Sequence, residues 1–329
     1  MKVVFFHRKQ ADGNFSIEAL FQQVRNSLPD DIDPKMCEML FYSRGFFRRL
    51  FCCLQAFFSQ GEVNHVTGDI HFVTLFLRRN KTVLTIHDLG FMEGKSGLSY
   101  FILKWFWIVW PAKHCKVITV ISEATKNELI RYVPGSASKI KVIYNPVSDL
   151  FRPLTKQFNK TRPVILQIGT KHNKNIDRLL QAVKGLPCVV YFLGKLERKQ
   201  VQLLNQFSIS YKEYINLSTE EVVELYRSCD VVSFVSTVEG FGLPIVEANA
   251  VGRAVVTSNI SSMPEVAGGS AHLVDPFDVQ SIRVGIQKIL DDDAYREQLI
   301  KNGFENAKRF DIKQIADQYA GVYRKLSAQ

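Results

Sequence analysis

Short β-branched or aromatic runs alternate with amphipathic helical stretches along nearly the whole chain, and this alternation predicts parallel sheets covered by helices. In the first half the predicted strands are Val3–Phe6, Val83–Ile86, Val117–Val120 and Ile140–Ile143, with helices near Ser16–Asn26 and Glu123–Tyr132. In the second half the predicted strands are Val164–Ile168, Cys188–Phe192, Val231–Phe234 and Ala254–Thr257, with helices near Ile176–Val183, Thr219–Ser228 and Pro244–Ala250. The pattern predicts an α/β protein with two similar halves.

The length of 329 residues exceeds what one hydrophobic core tends to organise, so we expect two domains. The proline-containing stretch around residues 145–162 is the predicted linker. The predicted division is 1–153, 154–310 and a last helical stretch, 311–329, that packs back on the first domain. Because ligands bind at the carboxyl ends of parallel strands, two sheets that face each other are expected to hold the site in the cleft between them.

The composition, with 46% hydrophobic and 22% charged residues, is that of a folded globular protein. The net charge of +10 indicates an anionic partner, such as nucleotide phosphates, anionic lipid or nucleic acid. Because no recognised binding motif accompanies the charge, nucleic acid is not expected as a partner.

The N-terminal apolar run is too short for a secretory signal, which predicts a cytoplasmic protein. The longest apolar stretch, Tyr100–Ala112, is interrupted by Lys104 and is too short to cross a bilayer. The six cysteines show neither a C-x-x-C pair nor metal-finger spacing, so we interpret them as free core thiols.

A glycine loop follows the predicted strand Val231–Phe234, and a helix follows the loop. Proline in the first helical turn leaves the N–H groups near Gly242 and Leu243 directed at the loop, where they form a natural pyrophosphate site. Glu247, one turn into the helix, is placed to accept hydrogen bonds from a vicinal diol such as a ribose. Glu239 stays in the loop, near the reacting end of the ligand. The alternative is an ordinary loop whose glycines serve only a tight turn.

The run Glu239-Gly240-Phe241-Gly242-Leu243-Pro-Ile-Val-Glu247 resembles the E-x7-E motif of the retaining glycosyltransferases of family 4, which have the two-domain GT-B fold. The resemblance extends from Tyr214 to Pro276 and includes Leu217 before a helix. It implies that Glu247 binds the donor ribose, that Glu239 lies against the sugar, and that the intervening amides contact the phosphates. Leu217, Gly240 and Phe241 are then part of the donor site.

A second donor segment is predicted after the first strand of the C-terminal half, from Gly169 to Asn175. Glycine at a strand end allows close approach of a phosphate, and Lys174 supplies a compact positive charge. The segment is similar to one in the family, except that Thr170 stands where the family commonly has Arg. Lys174 is therefore expected to carry most of the charge stabilisation, with Lys171 as a helper. A solvated loop that starts a helix is the alternative.

The N-terminal half offers His87, Asp88 and Ser122 as acceptor-side candidates. The His87-Asp88 pair follows a predicted strand and resembles a family segment whose His lies near the donor sugar, although a histidine there can also be structural. Ser122 is interpreted as a helix N-cap. The segment Asn64–His71 contains two histidines without a common zinc spacing, so we expect loop residues near the acceptor there rather than a metal site.

The resemblance implies a retaining transfer that needs neither a catalytic metal nor a cofactor. The catalytic residues are then Lys174, Glu239 and His87. The donor is expected to be a UDP- or GDP-sugar and the acceptor a glycan or lipid-linked hydroxyl, in cell-surface polysaccharide biosynthesis. A GT-B-like epimerase or phosphorylase remains an alternative, as does a non-catalytic nucleotide-sugar-binding or membrane scaffold.

Basic and aromatic residues cluster in the N-terminal half, at Phe46–Phe51, Arg78–Lys81 and Lys104–Trp107. Such mixing is typical of an element that faces anionic lipid, and it predicts peripheral association with the cytoplasmic face of a membrane. The alternative is a set of amphipathic core helices whose cations extend to solvent.

Overall fold

The computed structural model describes residues 1–9 and 16–328, which form two compact units. The first unit consists of Met1–Pro146 together with Ile312–Gln329, and the second of Val147–Asp311. Each unit contains one six-stranded sheet in which every pair of neighbouring strands is parallel. The predicted α/β class with two Rossmann-like halves is confirmed.

The first unit has the strand order β2-β1-β3-β4-β5-β6. Its strands are β1 (Lys2–His7), β2 (Asp33–Glu38), β3 (Val63–Val66), β4 (Thr82–Ile86), β5 (Val117–Val120) and β6 (Ile140–Val142). Its first helices are α1 (Ser16–Asn26), α2 (Phe46–Phe58), α3 (Gly97–Ile102), α4 (Trp110–His114) and α5 (Glu123–Tyr132). A π-helical segment, Leu103–Val109, joins α3 to α4, and the 3-10 helices are His71–Phe76, Arg79–Lys81, Gly90–Met92 and Pro134–Lys139.

The second unit has the strand order β12-β11-β10-β7-β8-β9. Its strands are β7 (Val164–Ile168), β8 (Val189–Leu193), β9 (Ser210–Tyr214), β10 (Val231–Phe234), β11 (Ala254–Ser258) and β12 (His272–Val274). Its helices are α6 (Ile176–Val183), α7 (Arg198–Gln206), α8 (Thr219–Ser228), α9 (Leu243–Val251), α10 (Met263–Ala267), α11 (Val279–Asp291) and α12 (Asp293–Ala307). The segments His172–Lys174 and Lys308–Phe310 are 3-10 helices.

The strand order of the second unit fixes where a ligand is expected. Counted within the unit, the order is that of a Rossmann sheet, with the first strand, β7, beside the fourth, β10. The chain leaves these two strands in opposite directions along the sheet, so a crevice opens at their carboxyl ends. The loops after Ile168 and after Phe234 form the walls of that crevice.

The last helix, α13 (Ile312–Ser327), belongs to the first unit although it follows the second unit in the chain. Tyr319 and Tyr323 on this helix are buried. His65 of β3 shares a 2.7 Å hydrogen bond with the hydroxyl of Tyr323 through Nδ1 and another with Thr85 through Nε2. A buried polar group without a partner costs about 1–3 kcal/mol, so this chain of bonds holds the helix in one register.

Several elements lie where the pattern predicts them, among them β5, β7, β10, α1, α5, α6 and α8. Four strands were not predicted, and β2, β9 and β12 of these are edge strands. The fourth, β3, corrects the loop interpretation of the Asn64–His71 segment. Val63–Val66 is a fully buried strand, in which Asn64 accepts a hydrogen bond from Gly61 N at 3.0 Å.

All six cysteines lie in the described part of the chain as free thiols, and five of them are buried. Burial raises the pKa of Cys53, Cys115 and Cys229 to about 12, which keeps these thiols protonated and unreactive. The interpretation as core thiols is confirmed for these positions. Within residues 1–9 and 16–328, no helix combines the length and hydrophobicity that a membrane span requires.

Candidate functional site

The two loops of the crevice in the second unit are tied to each other through Asn173. The backbone N–H of Thr237 donates to Asn173 O at 2.8 Å. In return the Asn173 side-chain amide donates to Val238 O at 3.0 Å and to Glu239 Oε1 at 3.1 Å. The loop after β7 and the loop after β10 therefore form one hydrogen-bonded structure at the switch point.

Lys174 and Glu239 form the ion pair of this structure. The Lys174 ammonium donates to Glu239 Oε1 at 2.5 Å, and both side chains are 16% exposed. The ammonium also lies 4.6 Å from the centre of the Phe234 ring, within the range of a cation–π contact. These two contacts, one with a loop carboxylate and one with a ring of β10, fix the position of a positive charge that still reaches solvent.

Gly169, at the end of β7, makes room for the Lys174 side chain. Its φ of 78° is in the left-handed region, which favours glycine, and a Cβ added there would lie 3.0 Å from Lys174 Cε. Asn175 then takes a left-handed conformation, and its side-chain amide donates to Val235 O at 3.1 Å and to Pro276 O at 2.7 Å. Gly169, which the sequence predicts to admit a phosphate, is in the structure the residue that allows the lysine side chain to cross the loop.

The glycine loop ends at the N-terminus of α9 as the sequence predicts. Gly242 is the N-cap residue with φ 122°, and Pro244 lies in the first turn. Among the described residues, the N–H groups of Gly242 and Leu243 have no hydrogen-bond acceptor. Unsatisfied amides and the positive end of the helix dipole are the two features by which helix N-termini bind anions.

The rest of the loop is anchored from neighbouring elements. The Ser262 hydroxyl donates to Phe241 O at 2.5 Å and to Glu239 O at 2.9 Å. The buried Phe241 ring packs edge-on against the Phe310 ring, with 5.6 Å between the ring centres. Gly240 lies between these anchors, so the loop that carries Glu239 has a defined path.

Glu247 lies on the first turns of α9, on the side that faces α8. The Tyr226 hydroxyl donates to its Oε2 at 2.5 Å, and no donor among the described residues reaches Oε1. Burial raises the pKa of the Glu247 carboxyl to about 7, while the hydrogen bond from Tyr226 acts in the opposite direction. One carboxylate oxygen thus remains available to a ligand hydroxyl.

The other predicted donor residues have different environments. The Thr170 hydroxyl donates to Lys195 O at 2.7 Å, so it serves the loop. Lys171 is exposed and has no ion-pair partner among the described residues. Leu217 is half-buried immediately before the capping box of α8, in which the Ser218 hydroxyl accepts from Glu221 N at 3.2 Å.

The acceptor-side candidates lie in the first unit, where they follow β4 and β5. His87 is buried, and because a carbonyl only accepts, its Nε2 donates to Thr67 O at 3.0 Å. Burial lowers the pKa of His87, so the ring is neutral at pH 7. Asp88 accepts from Gly90 N at 2.9 Å. Ser122 accepts from Thr125 N at 3.0 Å, which confirms its role as the N-cap of α5.

The structure adds residues that sequence reasoning missed. Asn173 and Tyr226 hold the two predicted glutamates, and no spacing in the sequence indicates contacts between such distant positions. In the first unit, His7 accepts a 2.7 Å hydrogen bond from Arg25. Burial lowers the pKa of His7 to about 3, so its ring is neutral. His7 and Arg25 line a cavity of about 250 Å³ at the carboxyl ends of β1 and β2.

No group of three or more His, Cys, Asp or Glu side chains lies close enough to hold a metal ion in the described part of the chain. The polar groups assembled at the switch point are instead one fixed ammonium, two carboxylates and a helix N-terminus. That set matches the needs of a sugar joined to a nucleoside diphosphate, with a carboxylate for a diol and positive groups for the phosphates.

The chain matches two families along most of its length. Residues 154–306 match "Glycosyl transferases group 1", and residues 42–149 match "Glycosyltransferase Family 4". Among curated proteins, it is 31% identical over 234 residues to O-antigen chain mannosyltransferase B of Escherichia coli, a match that covers 64% of this chain and 61% of that protein. It is 35% identical over 237 residues to D-inositol 3-phosphate glycosyltransferase of Corynebacterium diphtheriae, a match that covers 63% of this chain and 55% of that protein. The matches span less than two thirds of these relatives.

Solved structures show the same fold over nearly the full chain. Anabaena Alr3699/HepE in complex with UDP and glucose superposes with a TM-score of 0.79 at 16% identity, covering 99% of this chain and 100% of that one. Sucrose-phosphate synthase from Thermosynechococcus elongatus gives a TM-score of 0.81 at 18% identity, covering 99% of both chains. These superpositions confirm the predicted GT-B fold. The chain belongs to the family 4 glycosyltransferases.

Proposed function

We propose that this protein transfers a sugar, with retention of anomeric configuration, from a nucleoside diphosphate sugar to a hydroxyl of a glycan or lipid-linked acceptor. The observation that carries the proposal is the Lys174–Glu239 pair, held at 2.5 Å at the switch point of the second unit. Switch points are where Rossmann-type sheets bind nucleotides.

The proposed roles follow from the geometry of each group. Glu247 presents its free Oε1 to the ribose diol, and the amides of Gly242 and Leu243 receive the diphosphate at the start of α9. The Lys174 side chain lies across Gly169 with its ammonium held in place. Glu239 positions this ammonium and orients the sugar. Lys171, exposed and unpaired in the described part of the chain, adds a second positive charge near the phosphates.

In the proposed step, the acceptor oxygen forms a bond to the anomeric carbon on the face from which the diphosphate departs. The bond between that carbon and the phosphate oxygen breaks, and its electron pair leaves with the nucleoside diphosphate. The acceptor proton passes to the departing phosphate oxygen. Lys174 stabilises the negative charge that develops there, and no protein nucleophile is needed.

On the acceptor side, we assign His87 to orient the sugar, with Asp88 and Ser122 shaping the ends of β4 and β5. The neutral His87 ring has Nε2 committed to Thr67 O, so Nδ1 offers a lone pair to a sugar hydroxyl. Catalysis in this scheme relies on lysine and backbone amides for charge stabilisation rather than on a metal ion.

Mannose is the first donor sugar to test. Curated relatives in Escherichia coli and Mycolicibacterium hassiacum bear the name mannosyltransferase, including an O-antigen chain enzyme. Solved proteins of the same fold contain UDP and glucose or UDP-glucose. We therefore place the chain in cell-surface polysaccharide biosynthesis, with a GDP- or UDP-sugar as donor.

A thermal-shift screen against GDP-mannose, UDP-glucose and other nucleotide sugars identifies the donor, because a ligand that binds the native state raises its melting temperature. Transfer is then measured with the selected donor and a panel of glycan and lipid-linked acceptors, and the anomeric configuration of the product is read by NMR. Retained configuration supports the proposal, whereas an inverted product contradicts the mechanism. Conversion of the donor without any acceptor would indicate the epimerase alternative, and binding without turnover a scaffold.

A further inference from the structure

Helix α2 turns most of its large hydrophobic side chains to solvent. Phe46, Phe47 and Phe58 are 75%, 74% and 81% exposed. Four more apolar residues of the helix are exposed, namely Leu50, Phe51, Leu54 and Phe57. Its buried side consists of the small residues Cys52, Cys53 and Ala56. Soluble monomers rarely expose this many large apolar side chains on one helix, and those that do commonly use them for binding.

A second exposed apolar stretch lies nearby, in the helical segment 97–114. Its exposed members are Leu98, Phe101, Ile102, Phe106 and Trp110. The centres of the Phe106 and Trp110 rings lie 4.4 Å apart. Arg49 of α2 stacks on Trp107 of this segment at 4.7 Å, so the two stretches are neighbours in the first unit. We call the exposed apolar residues of 46–58 and 98–110 the aromatic face.

Within the two stretches 46–58 and 98–110, every charged residue is positive. The sequence contains no Asp or Glu between Glu38 and Glu62, nor between Glu93 and Glu123. Arg44 and Arg48 are exposed, and neither has an ion-pair partner among the described residues. Lys95, Lys104 and Lys113 accompany the second stretch. A surface that combines exposed apolar rings with exposed cations is complementary to an anionic, partly apolar partner.

We infer that the aromatic face binds the surface of a membrane rich in anionic phospholipid. Phenylalanine and tryptophan rings are suited to the level of the lipid headgroups, and each Lys or Arg near an anionic leaflet strengthens the attraction to it. A second copy of this chain on the same face would bring Arg44 and Arg48 against like charges. The contact that we infer is of the interfacial kind, in which apolar side chains enter the headgroup region while the helix lies on the membrane surface.

The exposure of the side chains differs between the basic and aromatic clusters. The Phe46–Phe51 cluster faces solvent, whereas Trp107 is buried in the core of the first unit. If the proposed function holds, docking on the membrane would raise the local concentration of a lipid-linked acceptor. Only this consequence rests on the transfer activity; the binding to lipid does not. Binding to lipid is measured independently of catalysis, so failure of one proposal is distinguishable from failure of the other.

The test is flotation of the full chain with phosphatidylglycerol-containing vesicles and with pure phosphatidylcholine vesicles, in low and high salt. The variants are Phe46→Ser/Phe47→Ser and Arg44→Glu/Arg48→Glu. Phe277→Ser is the matched control, because it removes an exposed aromatic ring from the second unit. Circular dichroism checks that each variant is folded, and sedimentation measures its oligomeric state.

The unmodified chain is expected to float with anionic vesicles in low salt, and to bind phosphatidylcholine at least about tenfold more weakly. Each double variant is expected to lose at least about tenfold in binding, and Phe277→Ser to bind normally. The absence of flotation in low salt would overturn the inference. So would normal flotation of both folded double variants, or a stable dimer that Phe46→Ser/Phe47→Ser dissociates while vesicles are not bound.

Discussion

The Lys174 ammonium lies 2.5 Å from Glu239 Oε1, although 65 positions separate the two residues in the chain. Loops at the ends of β7 and β10 carry them, and the amide of Asn173 binds the same carboxylate oxygen. The pair therefore couples two roles that the sequence analysis treated separately, charge on the leaving group and orientation of the sugar. A ligand phosphate at this point meets a lysine whose position is already fixed.

We predict that Lys174→Met lowers kcat by roughly 10²–10³, because removal of one preorganised group that stabilises developing charge has effects of this size. The KM for the donor should change by much less. Lys174→Arg is the matched variant that keeps the charge, and it should retain more activity than Lys174→Met. Steady-state kinetics with the donor identified by thermal shift checks this, and an unchanged kcat in Lys174→Met would contradict the assigned role.

Donor affinity should rise with pH through the titration of Glu247. The folded-state pKa of about 7 lies above the ordinary value of a glutamate, so the carboxyl is partly protonated near neutrality. Because Oε2 already accepts from Tyr226, protonation places the proton on Oε1, and only the ionised form leaves Oε1 free to accept from ribose hydroxyls. Binding of a nucleotide sugar should therefore strengthen between pH 6 and pH 8, with the phosphates ionised throughout.

The control for this prediction is Glu247→Gln, which keeps an acceptor oxygen but does not titrate. The affinity of this variant for the nucleotide sugar should be weaker than that of the unmodified protein and independent of pH in the same range. Tyr226→Phe removes the hydrogen bond that lowers the Glu247 pKa and should move the transition to higher pH. A pH-independent affinity of the unmodified protein would show that Glu247 does not contact the donor in its ionised form.

Stability of the first unit should fall as the pH drops below about 6.5. Burial lowers the pKa values of His7, to about 3, and of His65 and His87. Below the unfolded-state pKa of about 6.5, the unfolded chain binds more protons than the native state, so the free energy of unfolding decreases with falling pH. All three tryptophans lie in this unit, at 105, 107 and 110, and their fluorescence reports its unfolding by urea.

In this experiment His87→Gln is the comparison, because glutamine can donate to Thr67 O but does not titrate. The variant should show a shallower loss of stability between pH 7 and pH 5. An unfolding midpoint of the unmodified protein that is constant over this interval would contradict the buried, neutral state of these histidines.

Tyr323→Phe should lower the free energy of unfolding of the first unit by about 1–3 kcal/mol, since it leaves His65 Nδ1 buried without its partner. The second unit offers a similar pair, in which the Tyr295 hydroxyl lies 2.8 Å from His272 Nδ1 at a half-buried position. Because solvent can replace that hydrogen bond, Tyr295→Phe should lower the free energy of unfolding by less than Tyr323→Phe does. Urea unfolding followed by circular dichroism compares the variants, and equal costs would contradict the dependence on burial.

The sequence predicts the central strands because their residues are nearly all apolar, as in Val231–Phe234. The edge strands β2 and β9 carry charged residues such as Lys35 and Glu213, since one side of an edge strand faces solvent, and the hydrophobic pattern therefore does not predict them. Strand β3 was missed for another reason. Its Asn64 and His65 are polar residues whose partners lie elsewhere in the fold.

The donor loops were predicted from local chemistry, namely glycines at a strand end and at the N-terminus of a helix. The contacts that fix the functional side chains are tertiary, and no spacing rule gives the approach of Tyr226 to Glu247 or of Asn173 to Glu239. Likewise, the Phe46–Phe51 cluster of α2 left two interpretations open, an element that faces lipid and an amphipathic core helix. Only the packing shows that its small residues are buried and its aromatic rings exposed.

The central claim is that the switch point of the second unit binds a nucleotide sugar. Isothermal titration of the identified donor into the unmodified protein, Glu247→Ala and the exposed-surface control Val284→Ser tests it most directly. We predict saturable binding that Glu247→Ala weakens by about tenfold or more and Val284→Ser leaves unchanged, since loss of a hydrogen bond to a charged group costs about 1.5–3 kcal/mol. Equal affinity of Glu247→Ala and the unmodified protein, or no binding of any nucleotide sugar, would contradict the account.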